Sequence, residues 1–479
     1  MSTPTDGFRR SCYGITRRGL LLGAAGGLAA GIPLGWFGVK AWQQGERQAV
    51  SPFSGRSVED PRATYAMPGP FPGRVIEVRH PGAVNPQHVI NKETVRTMMD
   101  RGMCALVGTD HAPDAWRRFF QRDDVIGIKV NPVGRKANPG ETARMASAVG
   151  SISSPEVLME IVRNLKDIVG IPGHQIIVFE RYATEFRQTG YEQVLRERGM
   201  EGVRWLASSH DYDEQQLEID GQMRGRERDP NVAGYDPDVF VSMGFAGPEH
   251  NPRDDRRFRS HLSAIVTRMV NKIITIPCLK DHRSAGVTLA LKNLSHGMNN
   301  NVARSHTGGI YRLDGARSDC NQCNTFIPTA VAQGPLRQKA TLHIMDGLIG
   351  VYEGGPGCWN RTWGTWRRQS LFFATDPVAM DHVGWDIIDA KRAMEGWLPV
   401  ARMTRFETPP PLTLSPRLAA LAALSPESAA MAADQHLRIP DGRGSEFDRR
   451  QPEHIILAGL LGLGRFDARE IDHRLIGMR

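Results

Sequence analysis

The sequence has few cysteines for its length, with six in 479 residues. This number excludes a small disulfide-rich scaffold, in which disulfides compensate for a small hydrophobic core. Cys12 lies in the N-terminal leader, which leaves five cysteines for the rest of the chain. In an oxidising compartment, an odd number indicates an unpaired thiol, a partner outside the chain or a metal ligand.

The sequence also lacks the concentrated positive charge of a nucleic-acid-binding protein. Its net charge is +8, but residues 1–50 hold six basic and two acidic residues, so the remaining 429 residues carry only +4. The arginines between positions 253 and 259 are interleaved with Asp254 and Asp255, which is typical of a solvated loop. We therefore expect no nucleic-acid partner.

A long uncharged segment near the N-terminus runs from Gly19 to Val39 and follows Arg17-Arg18 directly. Two arginines before such a segment are typical of a twin-arginine export signal. The sequence thus predicts a periplasmic or other extracytoplasmic protein that is recognised by the twin-arginine translocation machinery. About 20 apolar residues can also span a bilayer, and no clear cleavage site precedes Pro52, so the segment is either removed or kept as a membrane anchor. We expect membrane contact through this segment alone.

The chain divides into three parts. Residues 1–50 form the signal or anchor with its linker, and residues 51–405 form one α/β domain with an insertion at about 210–260. Residues 406–479 form a Pro-rich linker and a C-terminal extension, with a predicted helix around 417–433 and an apolar element at 455–464. With 40% hydrophobic and 23% charged residues, the composition is that of a globular protein rather than a disordered one.

Short apolar runs predict buried strands at 125–130, 175–180, 272–277, 341–346 and 370–374. Between the first two runs, Ser154-Pro155-Glu156 predicts a helix start with a hydroxyl cap and proline in the first turn. Strand, helix and strand in succession form the crossover unit of a parallel sheet. We therefore predict an α/β fold with an open, mostly parallel sheet, flanking helices, loop insertions and a helical C-terminal tail.

Polar residues lie at or just after the ends of these strands. They are Lys129, Asn131, Glu180, Lys280, His282, Asp346 and Asp376. Ligands of open α/β sheets bind beyond the carboxyl ends of the strands, so these residues predict one site for an anionic small molecule. Any one of them could instead be a cap or a surface residue, and for Asp376 the capping of the helix after Pro377 is the more conservative role.

The densest group of reactive side chains is the segment from Lys280 to Asn293. Lysines could clamp an anion or, when desolvated, act as bases or nucleophiles, and His282 could bind metal or move protons. Lys292 stands among Leu and Ala residues, which favours a functional role over a solvated one. The predicted catalytic candidates are Lys129, Lys280, His282 and Lys292. The predicted ligand-binding residues are Asn131, Asn293, Asp346, Asp376 and Asp381.

Cys320 and Cys323 have a spacing that suits zinc, iron or redox chemistry. Two further ligands would be needed, and Cys278, Cys358, His296 and His306 are available in the sequence. A disulfide or unpaired thiols are the alternative. The cofactor therefore stays open, with a bound metal or an iron–sulfur cluster as the options.

Several ordered blocks resemble the family numbered 362 among the domains of unknown function, over about Val125 to Asp389. The blocks are Lys129-Val130-Asn131, Lys280-Asp281-His282, Gly286-Val287-Thr288, Lys292-Asn293, Asp346-Gly347, Glu353-Gly354-Gly355-Pro356 and Thr375 to Asp381. The resemblance implies the fold and the site and leaves the reaction unassigned.

A more distant resemblance involves His282 and Lys292, which lie ten positions apart with Ala285-Gly286 between them. This block is similar to one in nickel-pincer lactate racemases. The resemblance implies that Lys292 holds a pyridinium-type cofactor and that His282 is a catalytic base. The chain has Leu289-Ala290-Leu291 where that block has a glycine pair.

Three functions are consistent with the sequence. The first is an exported enzyme or enzyme-like protein that binds an anionic small molecule, with or without a metal. The second is a noncatalytic periplasmic binding or assembly factor, whose tryptophans at 359, 363 and 366 contact a partner. The third is an iron–sulfur electron carrier that uses Cys320 and Cys323.

Overall fold

The structure, a computed structural model, describes residues 67–134, 149–211, 229–243, 245–246, 253–306, 310–312, 317–318, 323–358, 362–402 and 452–479. The predicted export segment with Arg17 and Arg18, the predicted helix around 417–433 and Cys320 lie outside these residues. Within the described residues, no helix has the length and apolar character needed to cross a membrane.

Helices and strands alternate along much of the chain. The helices are α1 (Lys92–Val107), α2 (Ala112–Arg117), α3 (Pro155–Arg163), α4 (Ala183–Gln188), α5 (Tyr191–Val194), α6 (Leu289–Ser295), α7 (Cys323–Val331), α8 (Gly334–Lys339), α9 (Pro377–Met394) and α10 (His454–Leu460). The strands are β1 (Arg74–Arg79), β2 (Ile126–Lys129), β3 (Ile176–Tyr182), β4 (Arg204–Ser209), β5 (Tyr235–Ser242), β6 (Phe245–Ala246), β7 (Arg259–Ser263), β8 (Lys272–Thr275), β9 (Cys278–His282), β10 (Gly286–Val287), β11 (Ile310–Arg312), β12 (Arg317–Ser318), β13 (Ala340–Glu353), β14 (Gly364–Trp366), β15 (Ser370–Ala374) and β16 (Asp472–Gly477). A π-helical turn, Asn164–Val169, extends α3.

Eleven of the described strands form one mixed sheet. Its main path runs in the order β16-β1-β15-β13-β8-β2-β3-β4. Strands β9 and β14 pair with β13, and β10 pairs with β9. The strands β13, β8, β2, β3 and β4 are parallel, whereas β15 is antiparallel to both β13 and β1. This sheet with its flanking helices confirms the predicted α/β class.

Helices cover both faces of the sheet, so the central strands are buried on both sides. Ile273 packs into one hydrophobic cluster and Ile274 into the other, because successive side chains of a strand point to opposite faces. Helices α6, α9 and α10 contribute to the first cluster, and α1, α2 and α3 contribute to the second. Strands buried in this way have continuous apolar sequences, which is why the runs were recognisable.

The five predicted strands are confirmed as β2, β3, β8, β13 and β15, with differences in their bounds. Strand β13 continues to Glu353, so Asp346 lies in its interior rather than at its end. Lys280 and His282, predicted to lie beyond a strand, belong to β9. The helix start at Ser154 is confirmed, but the predicted hydroxyl cap is wrong because the Ser154 side chain makes no capping hydrogen bond.

The C-terminal described residues return to the main sheet. Helix α10 begins one residue before the predicted apolar element, overlaps it up to Leu460, and packs against α7 and α9. Beyond it, β16 pairs in parallel with β1, from Arg74 opposite Asp472 to Arg79 opposite Gly477. The predicted helical tail therefore also contains a strand. In the predicted insertion, β5 pairs with β7 apart from the main sheet.

Candidate functional site

A cavity of about 170 Å³ lies at the carboxyl ends of β2 and β3. Its walls come from the ends of these strands, from β9 and from α6. Of the predicted site residues, seven line the cavity, namely Lys129, Asn131, Glu180, Lys280, His282, Lys292 and Asn293. The topology thus brings together residues that are up to 164 positions apart in the sequence.

Lys129 ends β2 and is fully buried. Its Nζ forms a short ion pair with the Glu180 carboxylate of the neighbouring strand and donates to Asn293 Oδ1 at 3.2 Å. Burial lowers the pKa of Lys129, whereas the carboxylate of Glu180 opposes that change and favours the ammonium form. Lys129 therefore positions Glu180 and Asn293 at the cavity wall.

The packing around Lys129 depends on Gly297. A Cβ added at Gly297 would lie 2.8 Å from Lys129 Nζ and 2.2 Å from the carbonyl oxygen of Asn293. Both distances are shorter than real contacts of a Cβ atom, so a side chain at this position would displace the lysine or α6.

Lys280 is also fully buried, but none of the hydrogen bonds that it forms with described residues has a carboxylate as the acceptor. Its Nζ donates to three carbonyl oxygens, of Val133 at 2.7 Å, Ser151 at 2.8 Å and Pro356 at 3.1 Å. Burial lowers the pKa of Lys280, but three acceptors use all three donors of an ammonium group. The geometry therefore fits a protonated lysine that ties three loops together.

Lys292 differs from both because its nearest partner is His282. The Nδ1 atom of His282 accepts hydrogen bonds from the backbone N–H groups of Ser284 at 3.0 Å and Ala285 at 3.2 Å. The proton of the neutral imidazole is therefore on Nε2, which lies 2.7 Å from Lys292 Nζ. A contact with this N–H uses a lone pair on Nζ, so the geometry fits the neutral amine form of Lys292.

Burial explains why these neutral forms are stable. It lowers the pKa of Lys292 to about 7, so the neutral amine is well populated near neutral pH, and it lowers the pKa of His282 well below its usual value. A desolvated amine with a free lone pair is a base and a nucleophile near neutral pH.

Helix α6 carries Lys292, and a residue from another helix fixes its first turn. Thr288 precedes α6 but makes no side-chain cap. Instead, the Asp381 carboxylate of α9 accepts the backbone N–H of Ala290 at 2.7 Å and of Leu291 at 2.9 Å. Leu289 begins the helix at φ +38°, a left-handed conformation that costs about 1–2 kcal/mol outside glycine. The start of α6 is thus held by tertiary contacts.

Asp346, Asp376 and Asp381 do not line the cavity. Asp346 accepts the backbone N–H groups of Ser154 at 2.7 Å and Leu348 at 3.0 Å. Asp376 caps α9, as its conservative interpretation predicts, and also accepts from Gly73 at 2.9 Å. All three carboxylates bind backbone donors and so position elements around the site.

Arg181 also lines the cavity, and it was not predicted because the predicted strand ended at Glu180. Its guanidinium donates to the carbonyl oxygen of His296 at 2.8 Å and lies 4.3 Å from the ring centre of Tyr182. No carboxylate of a described residue lies within ion-pair distance of it. Arg181 therefore has donors available for an anion.

A second group of polar side chains adjoins Lys292. The structure contains a possible metal-binding triad, formed by His296, His306 and Cys323. Each residue offers one ligand atom, and these three atoms lie within 4.8 Å of one another. His306 Nε2 is 3.4 Å from Lys292 Nζ, and both histidines line the cavity. The other member of the predicted cysteine pair, Cys320, lies outside the described residues.

Of the predicted tryptophan cluster, Trp366 packs its ring against Tyr352 with ring centres 6.0 Å apart. Trp363 and Trp366 are half-buried, and Trp359 lies outside the described residues. Trp366 therefore contributes packing beside β13.

The fold and the site define a class of protein: an open α/β sheet with helices on both faces and a buried pair formed by a strand histidine and a helix lysine. Residues 245–386 match the family described as Domain of unknown function (DUF362). This segment includes Lys280, His282 and Lys292 but not Lys129 or Arg181, so it covers part of the predicted resemblance. No curated protein and no solved structure matches the chain.

Proposed function

We propose that the protein binds a small anionic carbonyl compound in this cavity and forms an imine with it through Lys292. The observation that carries the proposal is the contact between His282 Nε2 and Lys292 Nζ, in which the two backbone donors to Nδ1 fix the histidine proton on Nε2. The acceptor of that proton is the lone pair that would attack a carbonyl carbon.

The proposed step is balanced without an oxidant or a reductant. The Nζ lone pair adds to the carbonyl carbon, and the carbonyl oxygen receives a proton from the attacking amine. The resulting carbinolamine loses its hydroxyl group and the second amine proton as water, which leaves a C=N bond to Lys292. The hydrogen bond from His282 holds Nζ before the attack, and it breaks as the lone pair turns toward the carbonyl carbon.

The anionic part of the ligand would be bound by Arg181 and Asn293. Arg181 uses one donor on the His296 carbonyl and has others to offer. Asn293 is buried, its Oδ1 accepts from Lys129, and its Nδ2 has no partner among the described residues. A buried donor without a partner costs about 1–3 kcal/mol, and a bound carboxylate or phosphate oxygen would remove that cost.

Reductive trapping tests the proposal directly. Protein incubated with glyoxylate, a small anionic aldehyde, is treated with borohydride, and the adduct is located by peptide mass spectrometry. We expect a stable adduct on Lys292 and none on Lys280, whose three carbonyl partners hold the ammonium form. Arg181→Gln should raise the glyoxylate concentration needed for half-labelling by about tenfold, the loss of one charge-assisted contact.

Matched variants separate Lys292 from other lysines. Lys292→Arg keeps a long cationic side chain but cannot form an imine, so it should abolish the adduct. Lys339→Arg is the control, because Lys339 is a partly buried lysine that donates to the carbonyls of Val266 and Thr267 away from the cavity. Labelling confined to surface lysines, or unchanged in Lys292→Arg, would show the proposal to be wrong.

A further inference from the structure

We infer that His296, His306 and Cys323 bind a zinc ion beside the cavity. The three side chains reach one point from two segments of the chain: the histidines follow α6, and Cys323 begins α7. Their ligand atoms lie within 4.8 Å of one another, and Cys323 is a buried thiol. Zinc bonds of about 2.0–2.3 Å would draw these atoms together by small side-chain rotations.

His306 has its ring orientation set by the backbone. Its Nδ1 lies 3.2 Å from the carbonyl oxygen of Val302, an acceptor that fixes the proton on Nδ1. The lone pair of the neutral ring is therefore on Nε2. An outer carbonyl that fixes the tautomer of a histidine is the usual support of a metal ligand.

His296 lies between two hydroxyl groups. Ser295 Oγ is 3.1 Å from Nδ1, and Ser305 Oγ is 2.8 Å from Nε2. The Ser305 hydroxyl has a second acceptor, the Val302 carbonyl, at 2.7 Å. When a metal takes the Nε2 lone pair, Ser305 can turn its proton to Val302, so no buried hydroxyl loses its acceptor.

The ligand set favours zinc over an iron–sulfur cluster. Two imidazoles and one thiolate suit a tetrahedral Zn²⁺ ion, whereas clusters are usually held by four thiolates. Three protein ligands leave one coordination position, as in catalytic zinc sites. Because His296 and His306 line the cavity, that position would face the bound ligand. The inference goes beyond the imine proposal and does not require it.

Zinc binding is the test. Full-length protein, stripped with a chelator, is equilibrated with Zn²⁺, separated from unbound metal and measured by elemental mass spectrometry. We expect about one tightly bound zinc ion per chain, and we expect Zn²⁺ to raise the melting temperature. Cys323→Ser and His306→Asn should each lose at least about tenfold in affinity, the size of effect reported even for residues that support metal ligands.

Control variants exclude general effects of the substitutions. Cys104→Ser removes another buried thiol, from α1, and His343→Asn removes another buried imidazole, from β13. Both should bind zinc like the parent. Co²⁺ gives a second readout, because a cobalt–thiolate absorption band should appear in the parent and be absent in Cys323→Ser even when that variant is destabilised.

The outcome separates this inference from the imine proposal. Lys292→Met should keep zinc binding, whether or not glyoxylate is trapped by the parent. A parent protein that retains no zinc, or ligand variants that bind it as tightly as the controls, would overturn the inference.

Discussion

Lys129, Lys280 and Lys292 lie in one cavity, yet their partners differ. A carboxylate meets the first, three carbonyl oxygens meet the second, and an imidazole N–H meets the third. These partners come from separate loops and strands, so the sequence could predict a cluster of lysines but not which of them is neutral. The neutral form of Lys292 follows from His282, whose tautomer depends on backbone groups of the β9–β10 turn.

A buried residue away from the site gives a test of protonation. Burial lowers the pKa of His343 to about 3, against about 6.5 in an unfolded chain. Between these values the unfolded chain binds a proton that the folded chain does not, so the free energy of unfolding should fall as the pH falls through this window. The slope from this residue is up to about 1.4 kcal/mol per pH unit.

His343→Asn removes the titrating group and keeps a polar side chain facing Thr275, whose Oγ1 lies 2.7 Å from His343 Nδ1. Urea unfolding measured from about pH 7 to about pH 4 should show a flatter pH dependence in this variant. His174→Asn, at an exposed position, should keep the parent slope. Equal slopes in the parent and His343→Asn would contradict the prediction.

At the level of elements, α6 depends on a cap from α9. Asp381→Asn would place an amide N–H group against one of the two backbone donors that the carboxylate now accepts. We expect a loss of about 1–3 kcal/mol in the free energy of unfolding and weaker trapping at Lys292, because the helix that carries it loses its fixed start.

Unfolding titrations and glyoxylate trapping measure the two effects of this substitution. Asp167→Asn makes the same chemical change at an exposed residue and should leave both unchanged. If Asp381→Asn had the same unfolding free energy and the same trapping as this control, the Asp381 cap would not position α6.

The strands were predictable because burial on both faces requires continuous apolar residues. The ends of the strands were less predictable than the strands themselves, as β13 shows. The apolar run ends at Asp346, so the predicted strand ended there. Here the Trp366 ring of β14 covers Gly350, where an added Cβ would lie 2.4 Å from it, and β13 continues to Glu353. Only the neighbouring strand reveals this packing.

The same limits apply to the site. Seven polar residues at strand ends could be selected from the sequence, and five of them line the cavity. Arg181 was not predicted because the predicted strand ended one residue before it. Asp381 was predicted to bind the ligand, but its carboxylate accepts backbone N–H groups of α6 instead. Sequence patterns indicate where a side chain stands along a strand, whereas its partner depends on contacts across the fold.

For the whole molecule, β16 protects the edge of the main sheet at β1. Its residues are mostly exposed, and the alternation that identifies strands is weak there, so the sequence did not predict it. Deletion of residues 472–479 should uncover the backbone donors and acceptors of β1. We expect a lower melting temperature and concentration-dependent aggregation.

Light scattering and thermal unfolding measure these changes. Leu475→Ser is the matched control, because it alters an exposed side chain of β16 and leaves the backbone pairing intact. If the deletion variant had the melting temperature and light scattering of the parent, β16 would be dispensable.

The pairing of β1 with β16 also sets an order of events during synthesis. His473 and Glu77, which contact each other across these strands, are 396 positions apart. The ribosome therefore synthesises β1 long before β16. Until β16 has been translated, the backbone edge of β1 stays exposed to solvent. A nascent chain that stalls before β16 is translated would expose the backbone edge of β1, a surface that chaperones can bind.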